Sequence, residues 1–349
     1  MADPTPVPQV PPDKATERVI VAAQRRRRGQ LLQLLVFFAL IALLPVFIRN
    51  GYYLHVGVYI GINLIIVIGL NLLMGYAGQV SLGHAAFYGI GAYTSGILTA
   101  THGWSPWLAM PVAVALTSLV AWVVGKPTLR LKGHYLAMAT LGFGIIVAVL
   151  IRQMDWLTCG SSGLTDIPGI SIAGTVLDTE TQYYYFVWVF VAALTVLFAN
   201  LVDSRPGRAL RALHDSELAA GILGVDTGSY KVRAFVISAA YAAIAGSLYA
   251  HSSMRFLSPQ PFGFATSIAL LVMVVLGGLG TLWGPMLGAT TITIIQELLR
   301  PHADYDIIVY GLLLMVLMVV MPGGLARGLQ QLAGWWRKRL ALKSGGDRS

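Results

Sequence analysis

The chain has 349 residues, of which 56% are hydrophobic and 11% charged, with a mean hydropathy of +0.71. One water-soluble core cannot hide that much apolar side chain, so the composition excludes a soluble domain and points to a polytopic membrane protein. The net charge of +9 is no argument for nucleic acid, because the basic residues flank apolar runs and report topology instead.

A bilayer core of roughly 30 Å takes about 20 apolar residues per crossing helix, and such stretches recur along most of the chain. They are continuously apolar and not alternating, which excludes a barrel and leaves an all-α transmembrane helical bundle. The single cysteine, Cys159, permits no internal disulfide and offers no metal-site spacing.

Residues 1–30 open with PTPVPQVPP and close with RRRR at Arg25 to Arg28, the pattern of a disordered, basic, cytoplasmic tail. The tail is long and no small-residue cleavage pattern follows Ile48, so 31–48 reads as an uncleaved first span. Further spans are expected at 52–74, 80–100, 107–124, 134–151, 183–201, 234–250, 264–282, 286–299 and 306–322. That makes about ten crossings, with a range of eight to ten, in a transmembrane domain over 31–325. A basic tail at 326–349 follows, and both termini face the cytoplasm. Of the 24 Lys and Arg residues, only Arg49, Arg152, Arg255 and Arg300 then fall on outside connections. The outside loop 152–182 carries Asp155, Asp166, Asp178 and Glu180, whereas 125–133 is inside and basic.

Residues 71–93, NLLMGYAGQVSLGHAAFYGIGAY, are the most unusual apolar stretch. Gly75, Gly78 and Gly83 remove bulk so that helices can approach closely. Asn71, Gln79, Ser81 and His84 place hydrogen-bonding groups where unsatisfied ones cost several kcal/mol. These four either line a translocation path or bond to neighbouring helices. With no acidic residue nearby, His84 suits a structural role better than a proton relay. The glycine-rich 80–100 and the short 286–299 could each be re-entrant, which survives at membrane depth only inside protein or beside water. Gly277, Gly278 and Gly280 form a second packing cluster, and VLGGLG at 275–280 echoes LMGYAG at 73–78. In a chain with 38 glycines that echo is chance or a parallel repeat.

Residues 202–233, VDSRPGRALRALHDSELAAGILGVDTGSYKVR, form a long basic connection of the kind that stays cytoplasmic. They read as two short helices. Ser204 can cap the first, with Pro206 in its first turn and Leu210 and Leu213 on one face. Asp215 or Ser216 can cap the second, Glu217 complements its positive end, and Gly224 can stop it. Such a pair is either a place for another protein to push or a basic loop touching lipid headgroups.

Acidic residues are nearly absent from the spans, Glu297 being the exception, which argues against a proton- or sodium-coupled carrier. The energy for transport would then come from a gradient of the solute or from a partner. No phosphate loop, zinc helix, nucleophile turn or metal-spaced Cys/His set is present, so catalysis by this chain is not expected. GVDTGSYK at 224–231 has the wrong glycine spacing for a phosphate loop.

GYAGQVSLGHAAFYGIGAY at 75–93, GHYLAMATLGFG at 133–144, GRALRALHDSELAAGILGVD at 207–226, AFVISAAYAAIAGSLYA at 234–250 and MVVLGGLGTLWGPMLGA at 273–289 together resemble the permease subunits of branched-chain amino acid ABC importers. The likeness runs over roughly 58–326. On account of GSSGL at 160–164 the chain looks like the longer of two paralogous permeases. That family often has glycines where this chain has Thr158 and Cys159. The resemblance implies a bacterial inner-membrane heterodimer of two permeases with two cytoplasmic ATPase subunits, which hold ATP and Mg, and a periplasmic binding protein. No cofactor would be bound by this chain itself. It further implies that the 202–233 loop seats on the ATPase through Arg208, Arg211, Asp215, Glu217, Ala219, Ala220, Gly221 and Gly224. The expected cargo is a branched-chain amino acid, with urea or a short amide as the alternative. A stand-alone facilitator or gradient-coupled carrier is the rival from another class.

Overall fold

The computed structural model describes residues 29, 33–47, 50–172, 174–299 and positions 308, 311, 312, 315 and 325. The expected last span and most of both expected tails lie outside the described residues. The first compact unit, residues 1–49, contains α1 (Gln33–Phe47), a short apolar helix. The second unit, from Asn50 onward, holds the remaining helices.

Five of these are long and apolar enough to cross a membrane: α2 (Gly51–Asn71, continued by a wide turn to Tyr76), α4 (Pro106–Thr128), α5 (His134–Gln153), α7 (Glu180–Asp203) and α10 (Thr227–Ala250). Between them lie α3 (His84–Ala100) and a one-turn α6 (Asp155–Thr158). The connection after α7 forms α8 (Arg205–Asp215) and α9 (Glu217–Ile222). The chain ends its described run with α11 (Phe264–Gly277) and α12 (Gly284–Leu299). The architecture is therefore the expected helical bundle.

Two expected spans change shape. The stretch at 80–100 becomes helical only at His84, because Gly78 takes a left-handed φ of +67° and 77–83 leaves the helix. The stretch at 264–282 stops at Gly277, because Gly278 and Gly280 have φ of +111° and +67°. Only glycine adopts such angles at little cost. Conversely, α10 begins two turns before the apolar run does, carrying the polar residues 227–233 as helix.

Buried side chains concentrate on α2 and α10, which form the middle of the bundle. Gly57 and Gly61 let α2 approach Tyr184 and Val187 of α7, and Gly69 lets it approach Tyr241 of α10. On α3, Gly91 faces the backbone of Ala243, while Gly246 of α10 faces the carbonyl of Tyr88. Small residues at the crossings let backbones come close, the usual packing device where lipid removes the hydrophobic drive between helices.

At one end of the bundle, residues 152–182 fold over the 251–263 connection. Leu164 and Leu257 pair as a β-bridge, Arg255 pairs with Asp178, and Ser171–Ile172 pairs with Thr175–Val176 in a two-stranded hairpin. His251 is buried there, its two ring nitrogens 2.8 Å from the carbonyl of Pro168 and 2.9 Å from Ser95 Oγ. Cys159 is exposed with a left-handed φ of +57°, a position at which glycine would be the unstrained residue.

Candidate functional site

The opposite end of the bundle brings together α8, α9 and both glycine-broken segments. Ser204 accepts from the Gly207 N–H at the start of α8, as its N-cap. Leu210 and Leu213 share the buried face, while Arg205, Arg208, Arg211 and Asp215 are exposed. Ser216 caps α9 by accepting from the Ala219 N–H at 3.2 Å, and Asp215 closes α8 instead. Gly224, at φ +82°, ends α9 with the Gly224 and Val225 N–H groups returning to the carbonyls of Gly221 and Ala220. Asp226 then caps α10 by accepting from the Ser229 N–H at 3.1 Å.

The second short helix is anchored by charge. Lys231 Nζ lies 2.6 Å from Glu217 Oε1, and the lysine side chain is almost fully buried. A buried ammonium needs such a partner, so the pair fixes the start of α9 to the second turn of α10. Ala220 is the buried residue of α9. Leu218, Ile222 and Leu223 are 78%, 81% and 80% exposed. Sequence reasoning missed these three; the signal was apolar side chains at i and i+4 in an otherwise polar connection. Among the described residues, nothing lies within 4 Å of where a Cβ on Gly221 would stand.

The first helix reaches the first glycine break. A Cβ on Gly78 would lie 3.0 Å from His214 Nδ1, so the last turn of α8 rests on that break. Upstream, α2 opens into a π-turn over Leu72–Tyr76, a form often found at functional positions. There Gly75 meets the second break: its missing Cβ would fall 2.3 Å from Gly280 N. Asn71, fully buried, clamps the same contact. Its Nδ2 donates to the Thr281 carbonyl at 2.9 Å and its Oδ1 accepts from Gly280 N–H at 3.0 Å. Gly277 faces the carbonyl of Gly284, closing α11 onto α12, and the Gly278 carbonyl accepts from Thr281 Oγ1.

Ser81 and His84 form a second polar knot. His84 Nδ1 lies 3.0 Å from Ser81 Oγ and Nε2 lies 2.5 Å from Ser238 Oγ of α10. The Ala85 N–H donates to Ser267 Oγ of α11, and the Leu82 N–H donates to Thr140 Oγ1 of α5. Gly83 packs on the Thr140 carbonyl. The Gln79 side chain donates to the Ala77 carbonyl and its backbone N–H to the Leu73 carbonyl. The four expected path residues therefore do not share one cluster: Asn71 joins the two breaks, Ser81 and His84 tie the start of α3 to α10, and Gln79 stands between. Ser238, Ser267, Thr140 and Thr281 were not singled out by the sequence.

Residues 52–322 match the family described as the branched-chain amino acid transport system permease component. The chain is 34% identical over 307 residues to the high-affinity branched-chain amino acid transport system permease protein LivM of Salmonella typhimurium, covering 81% of this chain and 70% of that protein. Escherichia coli K12 LivM matches to the same extent. LivH of Escherichia coli K12, also a high-affinity branched-chain amino acid transport permease protein, is 26% identical over 285 residues, 75% of this chain and 91% of LivH. No solved structure matches.

Proposed function

We infer the function from the premise that the chain belongs to the family of branched-chain amino acid transport system permease components. It is the membrane-spanning subunit of an ATP-binding cassette importer for branched-chain amino acids, set in the bacterial inner membrane with both termini cytoplasmic. A second, paralogous permease completes the pathway, two ATPase subunits hold ATP and Mg, and a periplasmic binding protein delivers the solute. The α8–α9 end faces the cytoplasm and α9 seats on an ATPase.

The observation that carries this reading is the surface of α9. Leu218 and Ile222 on the helix and Leu223 at its C-terminal cap stand in the open, on an element that is capped at both ends and ion-paired to the core. A free loop would gain nothing from that apolar surface, whereas a protein partner would bury it. Gly221 points the same way. An exposed glycine inside a helix costs about 1 kcal/mol against alanine, and none of the described residues needs the space.

Motion then has a route. Displacing α9 pulls on Lys231 and α10, while displacing α8 presses on Gly78 and the break that meets Gly280. ATP-driven closure of the partners would bias these contacts between two arrangements of the bundle.

The test is reconstitution of the assembled complex in proteoliposomes with the binding protein and labelled leucine. Uptake is expected only with ATP, and Leu218→Asp with Ile222→Asp should release the ATPases while leaving the melting temperature within about 2 °C of wild type, since exposed positions rarely shift stability more. Leucine flux through this chain without any ATPase would overturn the reading.

A further inference from the structure

A groove of about 810 Å³ opens beside α8, between the end of α4, the last turn of α7 and the first turns of α10. Its lining is layered. Lys126 and Arg130 of the α4 terminus and Arg233 of α10 line it, and all three are exposed. The two helices run in opposite senses here, so Trp122 lies one turn deeper than Lys126 and Ile237 one turn deeper than Arg233. Cations therefore ring the mouth and apolar side chains form the floor.

Among the described residues none of the three cations is ion-paired. Lys126 stands over the Trp122 ring at 5.4 Å and Arg233 over the Tyr230 ring at 5.6 Å, which holds their heads at the mouth. One carboxylate also lines the groove, that of Asp226, which accepts from the Ser229 N–H as the α10 cap and also feels the charge of Arg233. Three cations against one engaged carboxylate leave the mouth net positive.

We propose that this groove seats one anionic phospholipid, its phosphodiester among Lys126, Arg130 and Arg233 and an acyl chain along Trp122 and Ile237. The chemistry fits both halves of such a molecule. Cationic side chains near a membrane surface attract anionic headgroups, and the apolar wall below them lies on two membrane-spanning helices, at a depth where an acyl chain can pack along it. A soluble phosphate would use only the mouth. The bound lipid would brace α4, α7 and α10 against α8, the helix that rests on the Gly78 break. Assigning the lipid to the cytoplasmic leaflet rests on the orientation proposed above. Binding to the purified chain does not, so failure of the transport reading would leave this result interpretable.

The test is native mass spectrometry of the delipidated full-length chain, titrated with phosphatidylglycerol or phosphatidylcholine of identical acyl chains. The wild type should bind one phosphatidylglycerol at least tenfold more tightly than phosphatidylcholine, and 10 mM inorganic phosphate should not displace it. Lys126→Gln, Arg130→Gln and Arg233→Gln together should abolish the preference. The charge-keeping set Lys126→Arg, Arg130→Lys and Arg233→Lys should retain it. Ile237→Trp, which fills the floor with the cations intact, should weaken the lipid at least fivefold and decides the matter if the triple variant does not fold. Equal binding of the two lipids by the wild type, an unchanged preference in the triple variant, displacement by phosphate, or no effect of Ile237→Trp would each overturn the proposal.

Discussion

Lys231 and Glu217 show how much one pair can decide. The ammonium is nearly buried whereas the carboxylate is about a third exposed, so removing the carboxylate strands a charge while removing both does not. Glu217→Gln should cost roughly 2 kcal/mol in detergent melts, and adding Lys231→Met should recover at least half. A double-mutant cycle checks this, and additive losses would mean that the pair is not coupled. At the other end, burial holds the His251 imidazole below the usual histidine range, against a weaker opposing pull from the Pro168 carbonyl. The unfolded chain therefore takes up a proton near pH 6.5 while the folded one resists it. The stability from this group is fully present above about 6.5 and is lost as the pH falls through the depressed value. Melting temperature should accordingly drop between pH 7.5 and 5.5, and His251→Gln should flatten part of that drop. An identical slope in the variant would contradict the assignment.

The broken helices are the elements on which the bundle turns. A Cβ at Gly75 would also stand 2.4 Å from Asn71 Oδ1, so Gly75→Ala must push apart the two breaks or the clamp between them. Overpacking of this kind costs about 1–3 kcal/mol, so Gly75→Ala should lower the melting temperature, whereas Gly221→Ala, which fills open space inside a helix, should raise it slightly. Equal effects from both would mean that the breaks are not tightly joined. Much at this scale could be read from the residues. Ser204, Pro206, Ser216 and Gly224 announce α8 and α9 through capping chemistry, which is local, and the structure follows it. Chemistry between elements was not legible. Nothing in composition says that Gly75 meets Gly280, since that contact depends on the bundle's packing, and an apolar window cannot see that α10 continues as helix through Thr227 to Arg233. Apolar length likewise placed a helix start at 80, whereas the left-handed Gly78 delays it to His84.

Across the unit from Asn50 onward, one end of the bundle carries the exposed α9, the cationic groove and the meeting of the two breaks, and the other carries the folded-over 152–182 loop. The polar knot of Ser81, His84 and Ser238 lies between sequence positions that reach toward the first of these ends, and its ties to α5, α10 and α11 let a shift there be felt by several helices together. The central claim is that a separate ATPase grips α9 and that this grip is transmitted into the bundle. The most direct measurement places a lone cysteine at Ile222, with Cys159 changed to serine, in the assembled complex, and cross-links it to the ATPase. The account predicts that the cysteine is labelled only from the cytoplasmic side and that the cross-link stops leucine uptake, which returns on reduction. Labelling from the exterior, or full uptake with the cross-link in place, would contradict it.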